Sequence, residues 1–226
     1  MTFQDSRYRQ LLDWLETDVG CQVDSIEPAS SDASFRRYFR VRIGPETQIV
    51  MDAPPPQENV KPFIHVLGLL KGAGLNTPAL LAQDPEQGFL LLSDLGSIPY
   101  LTALGDNTVD GLYKDALKSL LQIQSSEPLT KAPLPIYDEA LLTREVNLFE
   151  EWYLQGLLDI RLTTDEKRLI EKTRSLLVNS ALEQPKTFVH RDFHARNLMV
   201  TPNANPGVLD FQDAVIGPIT YDLVSL

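Results

Sequence analysis

Cysteine is nearly absent: Cys21 is the only one in 226 residues. No internal disulfide can form, no Cys/His zinc cluster is present, and nothing points to an oxidising compartment. No apolar run is long enough to cross a bilayer, and residues 1 to 9 are polar, without an apolar signal region. Basic residues are the minority, 20 Lys and Arg against 31 Asp and Glu, for a formal net charge of -11. No basic patch stands ready for nucleic acid or for a membrane surface, so the expected partner is a small molecule and the expected location the cytoplasm. The patterns Gly-x-x-x-x-Gly-Lys and Gly-x-Ser-x-Gly are missing, which excludes a P-loop and a nucleophile elbow. Repeats of fixed period are missing too.

What is present centres on Phe188-Val189-His190-Arg191-Asp192-Phe193-His194-Ala195-Arg196-Asn197-Leu198-Met199-Val200 and the following Gly207-Val208-Leu209-Asp210-Phe211. An apolar run ends at a polar loop, a second run follows, a Pro/Asn/Gly turn reverses the chain, and a third run delivers Asp210. Phosphoryl transfer needs one carboxylate to orient a hydroxyl and further oxygens to hold magnesium on the phosphates. Asp192, Asn197 and Asp210 have the types and the order for those tasks, and His190-Arg191-Asp192 with Asn197 keeps the protein-kinase spacing H-R-D-x-x-x-x-N. Leu209-Asp210-Phe211-Gln212 stands where D-F-G would be. Taken singly, each residue has a plainer use: a carboxylate can cap a turn and an asparagine can bond its own backbone.

With these residues the chain resembles the aminoglycoside phosphotransferase and choline kinase superfamily, the small-molecule relatives of protein kinases. Within it, residues 190–199 and Leu209-Asp210-Phe211-Gln212-Asp213-Ala214 are most similar to the cell-wall-recycling kinases that phosphorylate the anomeric hydroxyl of N-acetylmuramate and N-acetylglucosamine. The closing residues 217–226 resemble the family's segment after the magnesium aspartate. The resemblance implies an α+β, bilobal protein-kinase-like fold. A small antiparallel-sheet N-lobe (1–95) would bind nucleotide, and a mainly helical C-lobe (96–226) would carry the catalytic loop and metal site. It further implies ATP and Mg2+ as cofactors, Asp192 as the base, and Asn197 and Asp210 as metal ligands, with Gln212 and Asp213 as lesser candidates. Ser31, Ala33 and Ser34 would lie over the phosphates, and backbone groups of Ser93, Asp94 and Leu95 would meet adenine. His190 is assigned to structure, and Asp222 to holding the catalytic loop from behind. His194 and Arg196 can face either acceptor or phosphate.

Local patterns fill in the remainder. Residues 6 to 16 predict an amphipathic helix, and Val23–Glu27, Phe35–Ile43 and Gln48–Ala53 predict strands. The loop Pro28 to Ser34 has no glycine, unlike the glycine-rich loops that cover phosphates in kinases. Met51 or Asp52 stands where protein kinases place a phosphate-binding lysine, so either another cation does that work, the arginines of residues 36 to 42 being candidates, or the site is weak. Pro62 opens a helix with the stripe Phe63, Val66, Leu67 and Leu70. A long helix follows Thr108. A further one from Glu139 to about Leu158 is expected to bury Leu141, Leu142, Leu148, Phe149 and Trp152. The capping box Thr163-Thr164-Asp165-Glu166 opens another, with Leu169, Ile170, Leu176 and Leu177 inward. The end of the chain, inside an apolar helix start with no stop signal, suggests a fold truncated at the C-terminus. Two other functions stay open at this stage: an aminoglycoside or amino alcohol kinase of the same fold, and a pseudokinase that binds nucleotide without chemistry.

Overall fold

The computed structural model describes residues 5–31, 35–130 and 132–226. Asp5 caps helix α1 (Ser6–Asp13) by accepting the Tyr8 N–H at 2.8 Å, and a π-helical turn over Trp14–Asp18 extends it. Strands β1 (Ser25–Ser31), β2 (Arg37–Ile43) and β3 (Glu46–Asp52), helix α2 (Lys61–Gly72), and strands β4 (Leu80–Asp84) and β5 (Phe89–Ser93) follow. The five strands form one antiparallel sheet in the order β1-β2-β3-β5-β4. Pro28 to Ser31, expected in a loop, instead continue β1. Pro28 has no N–H for the ladder, and a register shift between Pro28 and Ser30 accommodates it. Asp32, Ala33 and Ser34 lie outside the described residues.

Strand periodicity sorts this sheet into two faces. Phe39, Val41, Val50, Phe89 and Leu91 point to one side and pack with Leu11, Trp14 and Leu15 of the N-terminal helix. Asp52 shares that side. It is fully buried, and its carboxylate takes the Arg7 guanidinium at 2.8 Å and the Arg37 guanidinium at 2.5 Å. Tyr38, Arg40, Ile49 and Met51 fall on the opposite face.

The remaining elements are α3 (Tyr100–Ala103), α4 (Val109–Ser125), α5 (Glu127–Thr130), α6 (Glu139–Leu148) with its π-helical extension Phe149–Leu157, α7 (Thr164–Leu182), β6 (Lys186–Val189), β7 (Leu198–Met199), β8 (Gly207–Val208), β9 (Val215–Pro218) and α8 (Tyr221–Ser225). Short antiparallel pairs join β6 to β9 and β7 to β8. Contacts divide the chain into two units: Met1–Ala116 with Ala195–Asp213, and Leu117–His194 with Ala214–Leu226. The core of the second unit is Tyr137, Leu142, Val178, Val189 and Val215.

Two expectations about the helices are corrected. The capping box Thr163/Glu166 does open α7, and α2 does bury Phe63, Val66, Leu67 and Leu70. Leu148, Phe149 and Trp152, however, are exposed, Trp152 at 72%, as are Leu169, Leu176 and Leu177, with Leu176 at 69%. The π-helical turns from Phe149 rotate the side chains away from the stripe set by α6. In α7 only Val178 is buried, with Ala181 and Leu182 partly buried against the core. Periodicity marks a face that favours a cover, and among the described residues none lies over this one. No described helix is long and apolar enough to cross a membrane.

Candidate active site

The first unit holds a cavity of about 430 Å³. Tyr38, Arg40, Ile49 and Leu92 supply its sheet wall, Phe63 of α2 another side, and the connection Ser93 to Ser97 its edge. Asn197, Met199, Leu209 and Asp210 come from the β7–β8 hairpin. Phe63 stacks against Phe211 with ring centroids 4.8 Å apart, which seats the hairpin. Gly207 permits the close approach: a Cβ there would stand 2.9 Å from Leu95 Cδ1.

The connection after β5 is tightly held. Ser93 donates its N–H to the Ala79 carbonyl at 2.9 Å and accepts the Ala79 N–H on its hydroxyl at 2.8 Å. Asp94 receives the Arg40 guanidinium at 2.7 and 3.2 Å and the Gly96 N–H at 2.9 Å. Burial alone would raise the Asp94 carboxyl, but Arg40 and the Gly96 N–H outweigh it and hold the group below the usual carboxylate range. What Ser93, Asp94 and Leu95 leave for a ligand is therefore chiefly backbone beyond the end of the strand. Arg40 was one of several equivalent arginines in the sequence. Arg37 goes to the other face with Asp52, and Arg36 lies 3.8 Å from Glu58. Only Arg40 of these three lines the cavity.

Asn197 and Asp210 come together at the cavity floor, the Asn197 amide donating to Asp210 Oδ2 at 3.2 Å. Gln212 donates to Asp210 Oδ1 at 2.8 Å, and its own Oε1 is buried with no hydrogen-bond partner. Asp210 adopts a left-handed backbone at φ 62°, a strained choice for a non-glycine residue that these bonds hold in place. The donor atoms on offer are all oxygens, those of a carboxylate and two amides, the set a hard divalent cation takes. No group of three or more His, Cys, Asp or Glu among the described residues could hold a metal. A cation here would need phosphate oxygens as well, as Mg2+ on a nucleotide does.

Asp192 belongs to the second unit, in the loop that leaves β6. His190 is fully buried, and its Nδ1 accepts the Asp192 N–H at 3.3 Å while its ring meets Phe193 edge-on at 5.6 Å. It is thus a scaffold for the loop. Asp222 at the start of α8 accepts the N–H groups of His190 at 2.7 Å and Arg191 at 3.0 Å. Burial pushes its carboxyl up to about 6, against those two bonds, and the neighbouring Asp192 charge adds to the rise. Ser31 ends β1, and Ala33 and Ser34 lie outside the described residues.

The Asp222 carboxyl carries a prediction. Its folded value lies above the unfolded 3.8, so its contribution to stability is complete below about pH 4 and is lost as pH rises through about 6, on the order of 3 kcal/mol. Denaturant unfolding between pH 3.5 and 8 would check this. In Asp222→Asn the acid-side gain in stability relative to neutral pH should shrink by that amount.

The architecture is that of small-molecule phosphotransferases. Among solved structures, choline kinase from Streptococcus pneumoniae superposes with a TM-score of 0.70 at 15% identity, covering 98% of this chain and 74% of that one. An ADP-bound aminoglycoside phosphotransferase gives 0.70 at 18% identity, covering 98% and 75%. The profile of the phosphotransferase enzyme family matches residues 25–226, and the chain belongs to that family. It is 49% identical over 232 residues to a protein of Pseudomonas aeruginosa named N-acetylmuramate/N-acetylglucosamine kinase, covering 98% of this chain and 68% of the relative. A Pseudomonas putida protein of the same name is 47% identical, with 100% and 69% covered, and one from Neisseria meningitidis is 40% identical, with 97% and 66% covered.

Proposed function

We propose that this chain is an ATP-dependent kinase that phosphorylates the anomeric hydroxyl of N-acetylmuramate or N-acetylglucosamine, in the cytoplasm and in peptidoglycan recycling. The observation that carries the reading is 49% identity, over nearly the whole chain, to a relative bearing that name. Retention of Asp192, Asn197 and Asp210 supports it. Residues 1–95 would serve as the nucleotide-binding lobe and 96–226 as the lobe with the catalytic loop.

In this reading the adenine edge meets backbone groups at Asp94 and Leu95. Arg40, fixed by Asp94, provides positive charge in a cavity to which the third strand contributes the uncharged Ile49. Asn197 and Asp210 would hold Mg2+, which when bound neutralises phosphate charge and fixes the phosphoryl group in line. Asp192 accepts the proton of the anomeric hydroxyl, or aligns it, as the oxygen attacks the γ-phosphorus. His190 and Asp222 keep that carboxylate in place through backbone bonds. With Arg40 as the cation, a binding-only role loses its main support.

Phosphorus NMR of ATP turnover with N-acetylmuramate, N-acetylglucosamine, an aminoglycoside and choline tests the proposal. A sugar 1-phosphate signal, absent with Asp192→Asn, is the expected result; turnover only with the aminoglycoside or choline would overturn the acceptor. Arg40→Gln should raise KM for ATP about tenfold with little change in kcat. It should also cost about 2 kcal/mol of stability, because Asp94 then stays buried without its partner. Steady-state kinetics and a urea melt would check both.

A further inference from the structure

Arg191, immediately before the proposed base, has φ 77°, a left-handed backbone that costs a non-glycine residue on the order of 1 kcal/mol or more. It persists only if its surroundings determine it. Asp222 holds the Arg191 N–H, but one backbone bond does not orient the side chain or stop the peptide from turning. The side chain is held separately. Its Nη2 donates to Glu145 Oε1 at 2.5 Å, and the guanidinium lies 5.8 Å from the centre of the Tyr137 ring.

Glu145 is itself fixed. It stands on α6, which starts at the Asp138 cap, and its second oxygen accepts the Tyr137 hydroxyl. Tyr137 is buried at the centre of the second unit. Its N–H reaches the Ile216 carbonyl at 2.9 Å, its ring meets Tyr221 at 5.3 Å, and Gly217 leaves it room, since a Cβ there would stand 2.9 Å from the Tyr137 Cβ. Burial and the Glu145 carboxylate both push the Tyr137 hydroxyl far above its ordinary range, so it stays a donor. One carboxylate thus joins α6, the β9 side of the core and the loop residue adjoining Asp192.

We infer that Glu145 is a positioning residue of the reaction: by holding Arg191 in its left-handed conformation it presets the loop that presents Asp192. The inference rests on the reading of Asp192 as the base, and extends it to a helix 46 residues away in sequence. Glu145 acts through its bond to Arg191. Its work is to keep the loop in one conformation before the acceptor arrives, and to supply the negative charge that fixes the arginine between Asp192 and the core.

Glu145→Gln keeps the shape and loses the charge; Glu145→Ala loses both. The expected fall in kcat is about tenfold for Gln and about 100-fold for Ala, with KM for ATP changed less than about twofold. Glu145→Ala/Arg191→Ala should lose no more than the worse single variant, because the two act as a unit. Hydrogen exchange read on the full chain provides a measure independent of turnover: amides of residues 190–192 should exchange about tenfold faster in Glu145→Gln, and those of α7 unchanged. Unchanged exchange at 190–192, or additive losses in the double variant, overturns the inference. If the unaltered chain phosphorylates no amino sugar, the proposed function falls, and the exchange result still decides the role of Glu145.

Discussion

Replacing Asp192 by asparagine should lower kcat for sugar phosphorylation by about 10³-fold and leave ATP affinity nearly unchanged. Asparagine fits the same space, and its amide cannot accept the hydroxyl proton. Backbone bonds hold the loop around it: the Asp192 N–H goes to His190, its carbonyl accepts the His194 N–H at 3.0 Å, and Asp222 holds the two preceding amides. The variant should therefore fold and bind nucleotide normally, so that the loss appears in kcat. Single-turnover phosphate transfer together with a nucleotide titration would measure it, and a kcat within tenfold of the unaltered chain would remove Asp192 from the role of base.

Asp210→Asn should be equally severe, about 10³-fold in kcat, with a marked rise in the Mg2+ concentration needed for half-maximal rate. Both Asp210 oxygens accept amide N–H groups, from Asn197 at 3.2 Å and Gln212 at 2.8 Å. An asparagine would set an NH2 group against one of those donors and remove the charge that a divalent ion needs. Calorimetric titration with ADP separates the two effects: affinity in the presence of Mg2+ should fall more than tenfold, and affinity without metal should hold. An unchanged Mg2+ dependence would mean that the ion, if it binds, sits elsewhere.

How far the sequence revealed this site depended on how local each feature was. Asp192, Asn197 and Asp210, the proposed base and metal ligands, could be singled out because their spacing falls within one strand, loop and hairpin, where chain connectivity sets the geometry. The faces of β2 were legible as well: alternation puts Phe39 and Val41 apart from Tyr38 and Arg40. Which face meets α1 and which meets the cavity is decided by packing, so Arg37 and Arg40 looked alike until the fold assigned one to Asp52 and the other to Asp94. Glu145 had no signal at all. An acidic residue on a helix looks the same whether it faces water or an arginine from a distant loop. The apolar stripes of α6 and α7 misled for a related reason: the π-helical turns at Phe149 break the period, and a stripe does not say whether anything covers it.

The burial of α1 against the sheet has a consequence for where the domain begins. The family match starts at residue 25, whereas Leu11, Trp14 and Leu15 are core side chains and Arg7 is one of two cations on the buried Asp52. The unit that must fold is therefore longer than the stretch that the family profile matches. A gene cut at the alignment boundary would open a dry sheet face to water and leave Asp52 with Arg37 alone. The helix ahead of the profile is thus part of the fold that the profile describes, packed on it and paired with it.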